Sequence, residues 1–152
     1  MSEYKIELEW LPEDETLYKR MAKVSGSPED EIPEIVVVTP PEFKKGIPNH
    51  WSPEHLFVAS LASCFFTTFL SMADTSNLPL LSFKLHATGT LDKDENGNSQ
   101  ITAIEVFPEI EVASENDQDK AEKLVGKVEA NCLISNSMKS TVTVTPTISV
   151  SG

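Results

Sequence analysis

Cys64 and Cys132 are the only thiols in the chain, and two thiols are the least that a redox cycle within one protein needs. One must ionise readily to attack, and the other must reach the oxidised sulfur and resolve it. Sequence separation does not decide whether the pair meets, because the closed fold sets the distance. The same residues also suit two free thiols packed in a core, since Cys is among the side chains most often buried. Of the 12 Lys and Arg residues, only Arg20 is an arginine. A guanidinium is always charged and donates from a planar fork, so it can hold a carboxylate and a thiolate together. Arg20 shares the more apolar face of its segment with Tyr18, Ala22 and Val24, which argues against a merely solvated cation. Glu54 is the carboxylate that would orient it; the plainer role for Glu54 is an acid at the positive end of a helix dipole.

Other chemistries find little support. His50 and His55 lie close together, but His86 falls on a polar strand face, and no HExxH or CxxC spacing completes a metal site. No glycine-rich phosphate loop and no serine nucleophile elbow is present, so no resident cofactor or metal is expected. With 24 acidic against 12 basic residues the formal charge is −12. That is a poor footprint for nucleic acid or an anionic membrane, both of which need clustered Lys and Arg.

The elements that must position these residues follow from periodicity. The 152 residues suit a single domain spanning 1–152. Tyr4, Ile6, Leu8 and Trp10 alternate with Lys5, Glu7 and Glu9 as a strand. An acidic turn at residues 12–15 leads to a second segment over 17–25, readable as a strand or a short helix. Ile35 to Thr39 is a third run, rich in β-branched residues. Ser52-Pro53-Glu54 opens a helix through a hydroxyl cap, a proline without an N–H and an acid at the dipole's positive end. That helix runs to about Ala73 and is apolar nearly all round, so burial on most sides is expected. A single domain has little material to surround it, which points to contact with a second copy. Leu56 to Ala73 carries no charge and approaches bilayer-spanning length. Its five Ser and Thr residues and acidic flanks, without Lys or Arg to orient it, favour a buried helix over a membrane span.

Beyond it, Leu81, Phe83, Leu85 and Ala87 alternate, an Asn96-Gly97 signal marks a hairpin, and Ile104, Val106, Ile110 and Val112 return. An amphipathic helix covers Asp117 to about Asn131, and a last segment alternates Thr with Val142, Val144, Ile148 and Val150. The class is α+β. The first residues lack a basic segment followed by an apolar run, so a cytoplasmic protein is expected.

The residues around the cysteines resemble a known family. Ser52-Pro53-Glu54-His55-Leu56-Phe57-Val58-Ala59-Ser60-Leu61-Ala62-Ser63-Cys64-Phe65 is similar to the "NPE-x-L-x-x-A-x-x-A-x-C-F" helix of the OsmC/Ohr family, the osmotically inducible and organic hydroperoxide resistance proteins. Cys132-Leu133-Ile134-Ser135 resembles its second motif, "C-P-x-S", with Leu133 in place of the proline. Pro48-Asn49-His50-Trp51 replaces the usual glycine-rich lead into the helix, and the glycine-rich context of the family's arginine is missing around Arg20. The resemblance implies antiparallel sheets packed around a long Cys-bearing helix in an intertwined homodimer. It also implies thiol-dependent reduction of organic hydroperoxides, with Cys64 as peroxidatic nucleophile and Cys132 resolving it as a disulfide. Arg20 and Glu54 then complete the site, and an external dithiol, such as a lipoylated protein, restores the thiols. The partners implied are a second copy, a small hydrophobic peroxide and that reductant.

Geometry adds one expectation. Ten residues of continuous helix separate Glu54 from Cys64 by roughly 15 Å, so a shared site needs a break in the helix or, as expected here, Glu54 from the partner chain. Trp51, Phe57, Phe65 and Phe66 could form an apolar mouth for organic peroxides, or belong to the core. Two alternatives stay open: an OsmC-like dimer that binds a small apolar ligand or partner with weak or no turnover, and a structural protein with inert thiols.

Overall fold

The computed structural model describes residues 1–11 and 20–152. The acidic turn at 12–15 and the start of the second segment, with Tyr18, lie outside the described residues. The chain forms two compact units, Met1–Leu56 and Phe57–Gly152. In the first unit, β1 (Ile6–Trp10), β2 (Met21–Gly26) and β3 (Ile35–Val38) form an antiparallel sheet in that order. The described part of the second segment is therefore a strand from Met21 onward. The apolar residues of β1 are largely exposed among the described residues: Ile6, Leu8 and Trp10 are 68%, 60% and 54% exposed.

The long helix, α1 (Pro53–Thr75), starts where its cap signal lies. Ser52 is fully buried, and its Oγ accepts from the His55 backbone N–H at 3.2 Å. Just beyond the helix, Asn77 takes a left-handed φ of 52°, and the Leu78 N–H reaches back to the Ala73 carbonyl at 2.9 Å. Length and composition alone would let α1 cross a membrane. Its stripe of Leu61, Phe65, Phe69 and Ala73, however, belongs to the core of the second unit. Burial on most sides does not hold within one chain: Phe57, Phe66 and Leu70 are exposed. The other half of an all-round apolar helix has no cover among the described residues.

In the second unit β4 (Leu80–Lys93) and β5 (Ser99–Val112) form a long antiparallel hairpin. Its tip turns at Gly97, with φ 81°, and Asp94 Oδ1 accepts from the backbone N–H groups of Asn96 and Asn98. Next comes α2 (Glu115–Asn131), which begins two residues before the expected Asp117. Ser114 is its cap, bonding the Asp117 N–H at 3.2 Å and the Asp117 carboxylate at 2.7 Å. A four-residue helix, α3 (Leu133–Asn136), follows and was not legible in the sequence.

The final alternating segment is two strands, β6 (Thr141–Val144) and β7 (Thr147–Val150), separated at Thr145-Pro146. Both run parallel to β5, which the intervening α2 crossover permits. The core joins the α1 stripe to Ile104, Val106, Ile110 and Val112 of β5 and to Ala121, Leu124, Val125 and Val128 of α2.

One glycine fixes how closely α1 approaches β4. A Cβ on Gly89 would stand 2.5 Å from Val58 Cγ2, closer than packed carbons tolerate. Gly89→Ala is expected to lower stability by about 1–3 kcal/mol through overpacking, measurable by urea denaturation. Wild-type stability in that variant would show that the helix can shift freely.

Candidate active site

Helix α1 carries Cys64 at its middle, and the chain leaving α2 carries Cys132 as the residue that caps α3. Both lie in the second unit, where Cys132 is part of the buried core and Cys64 packs against that core. Cys64 is half-buried, whereas Cys132 is 2% exposed. The extended backbone of Cys132 (φ −69°, ψ 110°) leads into the first turn of α3. The backbone N–H groups of Leu133 and Ile134 in that turn lower the Cys64 thiol. Thr68, one turn further along α1, places Oγ1 3.9 Å from Cys64 Sγ.

These contacts split the two thiols electrostatically. Burial pushes the Cys64 thiol up, but hydrogen bonds from the Ile134 N–H, the Cys132 thiol, the Thr68 hydroxyl and the Leu133 N–H outweigh it. The net effect holds Cys64 below the ordinary thiol range. Cys132 moves the other way: burial raises it, and the neighbouring Cys64 sulfur raises it further against hydrogen bonds from Ser135 and Ile134. Cys64 is thus the thiol that ionises first, and Cys132 remains a protonated donor beside it. A nucleophile with its resolving partner needs that asymmetry.

Arg20 and Glu54 belong to the first unit. Arg20 is exposed and precedes β2, where its carbonyl accepts from the Thr39 N–H. With Leu8, Trp10, Val37 and Lys45 it lines a mainly apolar cavity of about 700 Å³. Glu54 sits in the first turn of α1, and its Oε2 is buried without a hydrogen-bond partner among the described residues. No ion pair joins Arg20 to Glu54 among those residues. The helix is unbroken between Glu54 and Cys64, so ten residues of helical rise, about 15 Å, separate them.

The four aromatics of the expected mouth divide. Phe65 is core, 2% exposed and stacked on Phe69. Trp51, Phe57 and Phe66 are exposed, with Trp51 set edge-on to His55 and Phe66 against Phe83. Sequence reasoning missed Thr68 and the α3 amides. The Thr68 signal was available, since residues four apart on a helix share a face; the amides depend on a turn that no sequence pattern announced.

A family model described as OsmC-like protein matches residues 45–147. No match is found among curated proteins. An OsmC-like protein of unknown function from Vibrio cholerae has a solved structure similar to this chain. It is 25% identical with a TM-score of 0.87, over 97% of this chain and 100% of that one. An organic hydroperoxide resistance protein from Elizabethkingia anophelis is 18% identical, with a TM-score of 0.74 over 99% and 98% of the two chains. The organic hydroperoxide resistance protein OhrB of Bacillus subtilis is 20% identical, with a TM-score of 0.63 over 97% and 98%.

Proposed function

The chain belongs to the OsmC-like protein family, whose model spans more than half of it, and from that premise we propose that it is a dithiol-dependent peroxidase reducing organic hydroperoxides to alcohols. The observation that carries this reading is that Cys64 packs against the same core that contains Cys132, with the first thiol lowered and the second raised. In the cycle, the Cys64 thiolate attacks the outer peroxide oxygen. An S–O bond forms, the O–O bond breaks, and the alkoxide leaves and takes a proton as the alcohol. Cys132 then attacks the sulfenic sulfur. The S–S bond forms while the hydroxyl leaves as water with the Cys132 proton. An external dithiol of the lipoyl type exchanges with the disulfide and restores both thiols.

Arg20 is assigned to holding the thiolate and the developing alkoxide charge, and Glu54 to orienting Arg20. The partnerless buried oxygen of Glu54 supports a donor arriving there. The helical rise to Cys64 supports a Glu54 supplied by a second copy. A homodimer is further supported by the exposed apolar side chains Phe57, Phe66 and Leu70 of α1.

The test measures consumption of cumene hydroperoxide and of hydrogen peroxide with dihydrolipoamide, alongside sedimentation of the same sample. A dimer consuming the organic peroxide about tenfold faster or more is expected, as apolar walls discriminate by such factors. A fully active monomer would overturn the shared site. Turnover equal to that of Cys64→Ser would leave a dimer that binds a small apolar ligand without catalysis.

A further inference from the structure

Most hydroxyls of α1 bond back to the helix, and Ser71 is exposed. Ser60, Ser63, Thr67 and Thr75 each donate to a carbonyl of the preceding turn, at 2.7, 2.8, 3.1 and 3.0 Å. Such back-bonding is the usual fate of Ser and Thr within a helix. Thr68 departs from it. Its Oγ1 faces Cys64 Sγ at 3.9 Å, half-buried on the same helical face, and among the described residues no carbonyl competes for its proton.

We infer that Thr68 is a thiolate-binding residue of this site, donating its hydroxyl proton to the ionised Cys64 sulfur and so setting how that sulfur reacts. The inference deepens the peroxidase reading and rests on Cys64 as its nucleophile. Toward a neutral thiol a donor at this distance does little, because neutral sulfur is a weak acceptor. Ionisation turns the same contact into a charge-assisted bond, which forms only in the reactive state. The backbone N–H groups of Leu133 and Ile134 and the Cys132 thiol lower the Cys64 thiol from α3 and its cap. Thr68 binds it from within α1 itself.

Such a donor has a signature that a packing residue lacks. Removing it leaves less thiolate at low pH, but the thiolate that does form is the stronger nucleophile. The test follows alkylation of Cys64 by monobromobimane from pH 5 to 10, mapped to that residue by mass spectrometry, in reduced wild type, Thr68→Val and Thr68→Ser. Valine keeps the branched shape without the donor; serine keeps the donor without the methyl. Thr68→Val is expected to move the Cys64 midpoint up by roughly 0.5–1. Its rate should be about two- to fourfold lower below that midpoint and equal or higher above it, so that the two profiles cross. Thr68→Ser should stay within about 0.3 of wild type.

A Thr68→Val profile that overlays wild type would overturn the inference, as would a Thr68→Ser shift as large as that of valine. Thr68→Ala serves as a second variant without the hydroxyl if valine fails to fold. Alkylation needs no peroxide, so a protein without turnover would sink the peroxidase reading and still decide the role of Thr68.

Discussion

Replacing Cys64 by serine is expected to lower hydroperoxide turnover by roughly 10³-fold or more, because an alcohol neither ionises at neutral pH nor forms the sulfenic acid on which the cycle depends. The change is nearly isosteric and lies at a half-buried position, so the fold should survive it, and circular dichroism would verify that. Cys132→Ser should behave differently. It leaves the nucleophile in place with a hydroxyl beside it, so one equivalent of alcohol should form per Cys64 before the reaction stalls. The trapped sulfenic acid would be detected with dimedone.

The pH dependence follows from the opposite shifts of the two thiols. Thiolate accumulates as pH rises, so the rate of the first step should climb with pH and level off above the Cys64 pKa. That plateau should begin below the ordinary thiol range, since hydrogen bonds stabilise the Cys64 thiolate. A rate still climbing through the range of an unperturbed thiol would mean that the contacts at α3 do not act on the sulfur. Full turnover by Cys64→Ser would transfer the chemistry elsewhere altogether.

Much of this arrangement was legible in the sequence because it is written in local signals. Ser52-Pro53-Glu54 announces the start of α1, and Asn96-Gly97 announces the hairpin. The stripe Ala121, Leu124, Val125 and Val128 identifies the buried side of α2. What was not legible is what depends on chain closure. The packing of Cys64 against the core that contains Cys132 spans two helices and a long hairpin, so no spacing rule encodes it. The α3 turn is only four residues long, too short for any periodicity to show. The break between β6 and β7 lies at Thr145-Pro146, inside a run whose alternation reads as continuous. The apolar periphery of α1 was read correctly as composition, but burial is a property of what surrounds a helix. Within one chain that surrounding covers a single stripe.

That stripe bears on the site, and Phe69→Ala tests it. Phe69 is fully buried, stacked against Phe65 at 6.4 Å between ring centroids and tilted against Phe83 at 5.4 Å. Truncation removes the ring and leaves a cavity that its close-packed neighbours only partly collapse to fill. Such changes cost about 3–5 kcal/mol, which for a chain of this length lowers the melting temperature by roughly 6–20 °C. Thr67→Ala, on the exposed side of the same helix, is the control and should change stability by less than about 0.5 kcal/mol.

The effect should also reach the chemistry. Phe69 is five residues from Cys64, and the same core includes Cys132 and packs against Cys64. A loosened stripe lets the Cys64 sulfur drift from the amides of Leu133 and Ile134 that hold it ionised. In the folded fraction of Phe69→Ala, alkylation of Cys64 at pH 6 should therefore slow along with the loss of stability. A variant that melts early yet keeps the wild-type thiolate profile would separate the core from the site, and would assign the positioning of the sulfur to α3 alone.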